Sequence, residues 1–290
     1  MHHKGIVGIT LATSVLLASL LTSTGSASVT TLLPSLTPAL LLDIAQVDAP
    51  PAGVGLQVHA DFPKRSPLLL DGLTIHSFTA DLTPQGGVIV RNAVTSDNTG
   101  PDGVGECDDP TFVPTGVKWA AGTMPIGWKL NLGSTPQELD RPRTTLTMRS
   151  AHRIWPRAES RCNGADKISF SYDYLGRTER EAKYDKHNVV DFGKLGQGAL
   201  AVNYTWYVGR EIVEVDLRLN KGDYKWTNIG ERYRYDVRNV VAHELGHQFG
   251  LDDLGNPHAG LTMYAVIGKG EINKASLGRG DLKGASALSP

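Results

Sequence analysis

The chain has 290 residues, 40% of them hydrophobic, and 29 Lys and Arg against 30 Asp and Glu leave a net charge of −1. Such a composition can bury a normal core and argues against a wholly disordered chain. With charges nearly balanced and no long run of one sign, nothing points to nucleic acid or an anionic membrane as a partner.

The N-terminus opens with a short basic start at His2, His3 and Lys4, then an apolar run over 6–21 diluted with Gly, Thr and Ser, then the small residues Gly25, Ser26, Ala27 and Ser28. That order is expected of a secretory signal peptide over 1–28, cleaved after Ala27 or Ser28. The run is short for a membrane span, so no stable membrane association is expected after cleavage. Export sets the reading of the two cysteines: Cys107 and Cys162, an even count in an oxidising compartment, are expected to form one disulfide.

Residues 30–51 are apolar but broken by Pro34, Pro38, Pro50 and Pro51, which no long helix can span. Strand-like runs follow at 73–78 and 87–94, separated by Pro and Gly turns. The polar, Gly-rich stretch 96–105 is the most linker-like segment. A boundary there gives a segment over 29–105, a propeptide or small β-rich module, ahead of a domain over 106–290. Within that domain 143–155 reads as a helix with Leu146, Ser150 and Ile154 along one face. The runs 198–208 and 210–220 read as paired strands. In the second, Val213, Val215, Leu217 and Leu219 alternate with Glu214, Asp216 and Arg218, the signature of a half-buried strand. Asp236 suits an N-cap for a helix over 237–249 with Val237, Val241 and Leu245 facing the core. Gly250 suits the left-handed residue that ends it. A short helix is expected over 280–288.

The chemistry is concentrated on the helix before Gly250. His243, Glu244 and His247 form H-E-x-x-H. Side chains four apart on a helix are neighbours, so both imidazoles can address one ion. Glu244 stands beside them, not aimed at the metal, placed to take a proton from a metal-bound water and pass it to a leaving amine. Zinc would bring that water's pKa towards about 7. Gly250 falls where the chain must turn back if a third ligand is to reach the ion. Asp253 stands where that turn would present it, and His258, in a Gly-Asn-Pro loop, is the rival.

The run His243-Glu244-Leu245-Gly246-His247-Gln248-Phe249-Gly250-Leu251-Asp252-Asp253 resembles the long zinc motif of the metzincins. Leu261-Thr262-Met263-Tyr264 stands at the distance of their Met-turn. Within that group Gly250-Leu251-Asp252 and Met263-Tyr264 are most similar to the matrixins, and the resemblance extends over roughly 107–290. It implies a mixed α/β (α+β) domain, a twisted mixed sheet with a zinc helix and a C-terminal helix. It implies a secreted zinc-dependent endopeptidase, likewise monomeric, acting on protein or peptide, with one catalytic Zn2+. The alternative is a secreted zinc-containing binding module without turnover, against which the intact Glu244 speaks.

The resemblance assigns His243 and His247 as ligands and departs at Asp253, where matrixins usually place His. An Asp is the pattern of the snapalysin-like metzincins. Asp252 is expected to support the Met-turn. Met263 is assigned to the floor of the site, not to ligation, and Ala265 stands where astacins carry a metal-binding Tyr. Ala199, Leu200 and Ala201 are similar to the edge strand with which a matrixin pairs the substrate backbone. The matrixin latency cysteine, in its P-R-C-G-like surroundings, has no counterpart, since Cys107 sits in Glu106-Cys107-Asp108-Asp109. The residue sets for structural zinc or calcium are not recognisable.

Overall fold

The computed structural model describes residues 33–95, 103–162 and 167–290. The expected signal peptide and most of the linker-like stretch lie outside the described residues. No helix among the described residues is long and apolar enough to cross a membrane.

The N-terminal segment forms a helix and four strands. Pro at the first helical position and Thr37 as N-cap start α1 (Pro38–Ala45), which ends at left-handed Gln46. Then come β1 (Gly55–Asp61), β2 (Leu68–Leu70), β3 (Leu73–Leu82) and β4 (Val88–Thr95). The rest of the chain supplies β5 (Ile126–Leu130), α2 (Arg141–Ile154), β6 (Tyr172–Arg177), β7 (Asn188–Gly193), β8 (Ala201–Val208) and β9 (Glu211–Asn220). A two-stranded pair, β10 (Trp226–Thr227) with β11 (Tyr235–Asp236), precedes α3 (Val237–Gln248), and α4 (Arg279–Leu288) closes the fold.

One nine-stranded sheet runs β2-β3-β1-β8-β9-β7-β5-β6, with β4 paired to β3. Strands β6, β5, β7 and β9 are parallel neighbours, and β8 lies antiparallel between β9 and β1. The sheet is therefore mixed, and the N-terminal strands extend it beyond β8. Two apolar clusters follow from this. The larger joins the faces of α2 and α3 to β5, β7 and β9. The smaller packs α1, β1 and β3 against Val202, Tyr204 and Trp206 of β8. Strand β8 thus feeds one side chain after another to opposite cores.

Two sequence expectations need correction. On α2 the core face is Thr144, Thr147, Met148, Ala151 and Ile154, while Leu146 is 65% exposed. The helix starts at its N-cap Asp140, and its stripe lies one residue round from the Leu146, Ser150, Ile154 line. Strand β9 is not half-buried. Val213 is exposed, whereas Glu214, Asp216 and Arg218 are buried together with Val215, Leu217 and Leu219. The segment before β7 lies over the polar face and satisfies it: Glu214 accepts from the Asp185 and Lys186 amides, Asp216 from those of Lys183 and Val189, and Arg218 donates twice to Asp191. Buried polar groups need such partners.

Candidate metal centre

Asp236 caps α3 through the Asn239 amide, as expected, and every residue named for its core face is fully buried. The helix is buried all round, including His243, Glu244, Gly246 and His247. Gly246 has a steric reason: a Cβ there would meet Met263 Sδ at 2.2 Å and Trp155 at 2.9 Å. The methionine of the Met-turn thus presses on the helix between the two histidines. Gly250 is left-handed at φ 94°, and a Cβ would stand 2.5 Å from the Val117 carbonyl oxygen, so only glycine makes this exit.

The turn after Gly250 brings Asp253 back. Its Oδ1 lies 3.2 Å from His243 Nε2 and 3.7 Å from His247 Nε2. Each imidazole is held from its other nitrogen: His243 Nδ1 lies 2.7 Å from the Thr262 carbonyl and His247 Nδ1 2.9 Å from that of Leu251. An Nδ1–H donated to a carbonyl leaves Nε2 with a free lone pair, the tautomer a metal requires. The Met-turn that presents Thr262 is held by Asp281, which accepts from the amides of Thr262, Met263 and Gly278.

Asp252 does not support the Met-turn. Its carboxylate accepts from Thr79 Oγ1, Asn92 Nδ2 and the Asp253 amide. His258 is also elsewhere, paired with Asp109 at 2.7 Å. The sequence reading missed a fourth side chain. Asp61, at the end of β1, places Oδ2 3.2 Å from His243 Nε2, and the ligand atoms of Asp61, His243, His247 and Asp253 all lie within 4.8 Å of one another. The available signal was the alternation of Gln57, His59 and Asp61 with apolar neighbours, which marks a strand with a polar face but not what that face meets.

These donors fit a cation. His243 Nε2, His247 Nε2 and both oxygens of Asp61 and of Asp253 are buried without a hydrogen bond. Two imidazoles and two carboxylates converging without protein partners are a nitrogen and oxygen set suited to zinc. Burial disfavours charge on His243, but with no cation in place Asp61 and Asp253 outweigh it and raise the pKa to about 10, so a metal would bind there in exchange for the Nε2 proton. Burial lowers His247. Burial, then the neighbouring Asp61, push Glu244 well above the usual carboxylate range, and neither of its oxygens has a partner.

The matrixin family model matches residues 118–289, more than half the chain. The chain belongs to the matrixin family. A search of curated proteins found no significant match. Family membership makes this protein a zinc metallopeptidase acting on protein or peptide, and five strands of the large sheet (β5–β9), the β10–β11 pair, α2, α3 and α4 fall within the matrixin domain.

Of the remaining expected residues, Met263 is buried beside the helix, and Cys107 and Cys162 form the disulfide. Ala199, Leu200 and Ala201 are fully buried. The matrixin's edge strand β8 is already paired: Asp61 lies opposite Ala201, and the Leu200 amide donates to the Asp61 carbonyl at 2.7 Å.

Proposed function

We propose that this matrixin is a secreted, monomeric endopeptidase with one catalytic zinc, held by His243, His247 and Asp253. The observation that carries the reading is the convergence of those three donors, without hydrogen bonds, beside an equally unpartnered Glu244. Export is supported by the basic, apolar and small-residue order of residues 1–28 and by a disulfide, which suits an oxidising compartment. Near-neutral charge supports the absence of nucleic-acid and lasting membrane association.

When bound, zinc polarises the scissile carbonyl and makes water a better nucleophile near neutral pH. The protein's own groups do the rest. Glu244, buried beside the two histidines with neither oxygen hydrogen-bonded, takes the proton of the attacking water and delivers it to the leaving nitrogen. Thr262 and Leu251, through their carbonyls, keep both imidazoles oriented. Once β1 is removed from β8, the Leu200 amide and its neighbours Ala199 and Ala201 would offer main-chain pairing to an extended peptide, which fits cleavage within a chain.

The test is digestion of a peptide library by the purified protein after limited proteolysis, with and without a zinc chelator. Glu244→Gln is expected to retain its metal and lose at least about a hundredfold in rate, the usual range for removing a general base. Full activity in that variant with metal bound would overturn the assignment. A second reading, a zinc-containing binding module without turnover, is favoured by one observation: the fourth carboxylate, Asp61, closes the donor set with protein, as structural sites do. Bound zinc with no cleavage by the processed chain would select it.

A further inference from the structure

Strands β1 and β3 of the N-terminal segment present polar rows that are buried. Gln57, His59 and Asp61 on β1, with Ser77, Thr79 and Asp81 on β3, have almost no exposure. A buried sheet face is ordinarily apolar, because burying unpaired polar groups is costly. Here the row is matched to the metal centre. The His59 ring stacks on His247, with centroids 4.1 Å apart and planes at 21°. Thr79 and Asn92 donate to Asp252, and Asn92 also donates to the Asp253 carbonyl at 2.8 Å. Asp61 lies against His243, its carboxylate unpartnered. An uncompensated buried carboxylate is too costly to leave alone, so it calls for a cation or a shared proton.

We propose that Asp61 is a fourth protein ligand of the metal centre, carried there by β1, which seats itself on β8 and makes the full chain latent. The pairing runs from Gly55 opposite Tyr207 to Asp61 opposite Ala201, so the edge that an extended peptide would use is taken at every residue of β8 but Val208. At its end the chain delivers a carboxylate at the position where a catalytic site keeps room for water and substrate. Both cysteines are bonded to each other, so no thiol can serve this purpose. The backbone of β1 excludes the peptide and the side chain of Asp61 excludes the water. The inference rests on the reading above in taking the centre to bind metal.

The test uses the full chain loaded with cobalt(II) in place of zinc, because its visible spectrum reports coordination directly. Wild type is expected to show a spectrum that azide, a small anionic ligand, leaves unchanged. Asp61→Ala is expected to give a different spectrum that azide shifts, and to bind cobalt at least about tenfold more weakly in competition with a chromophoric chelator. Asp61→Asn serves if the alanine variant loses its far-UV circular dichroism. Identical spectra, azide responses and cobalt affinities in wild type and variants would overturn the proposal, as would failure of the wild type to take up cobalt. Peptide hydrolysis by the intact wild type at the rate of the chain processed by limited proteolysis would overturn the latency. If the cobalt results are as expected and the processed chain hydrolyses nothing, the ligand assignment stands and the peptidase reading fails.

Discussion

At the scale of single residues, a neutral imidazole away from the candidate metal centre also shapes this protein. His152 is buried flat against Trp128, with centroids 3.6 Å apart, and its Nδ1 lies 2.8 Å from the Met148 carbonyl. Burial lowers its pKa to about 3, against an opposing contribution from that carbonyl. The unfolded chain takes up this proton near pH 6.5 and the folded chain only near 3, so the contribution to stability is complete above 6.5. It declines by up to roughly 1.4 kcal/mol per pH unit as the pH falls from 6.5 towards 3. His152→Phe keeps the stacked ring and removes the proton site. Urea titrations at several pH values, in chelator, are expected to show a shallower pH dependence in that window; an unchanged slope would refute the assignment. The same scale bears on the rival candidates for third ligand. Asp253 rather than His258 faces the two histidines, because His258 is turned away towards Asp109.

At the scale of elements, α3 is positioned by its ends. Asp236 accepts from the Asn239 and Gly230 amides, fixing the helix start and the loop before it. Asp236→Ala is expected to cost about 1–2 kcal/mol, lowering the melting temperature by about 2–8 °C. Calorimetry would check this, and no change would mean that water replaces the cap at no cost. Helix existence was legible in the sequence because a cap, a periodic apolar stripe and a glycine exit are all local. The face of α2 was misjudged because one turn of apolar and small residues fits several rotations, and only the packing partner chooses. Strand β9 was misjudged because alternation shows which side chains share a face, while burial of the polar face depended on a distant segment supplying amides.

At the scale of the molecule, the disulfide ties residues near the start of the matrixin domain to the segment after α2. Cys107 and Cys162 are 55 residues apart. Replacing both by Ser is expected to lose up to ~4 kcal/mol on the chain-entropy estimate. Guanidinium unfolding of the variant would test it, and an unchanged midpoint would show that the unfolded chain is already constrained. The sheet connects the two cores through β8, so the N-terminal strands share Val202, Tyr204 and Trp206 with the matrixin domain. A boundary drawn from linker composition therefore separates segments of chain that the fold makes continuous.

By itself the sequence determined the zinc helix, its two histidines, the adjacent glutamate, the glycine exit and the family, because all of these rest on short spacings that helical geometry converts directly into proximity. Only the tertiary structure decided that Asp61 lies beside them and that β1 pairs with Leu200 and Ala201. Strand pairing brings together residues far apart in the chain, and a period of two records which face a side chain shares but never which strand, or which ion, it will meet.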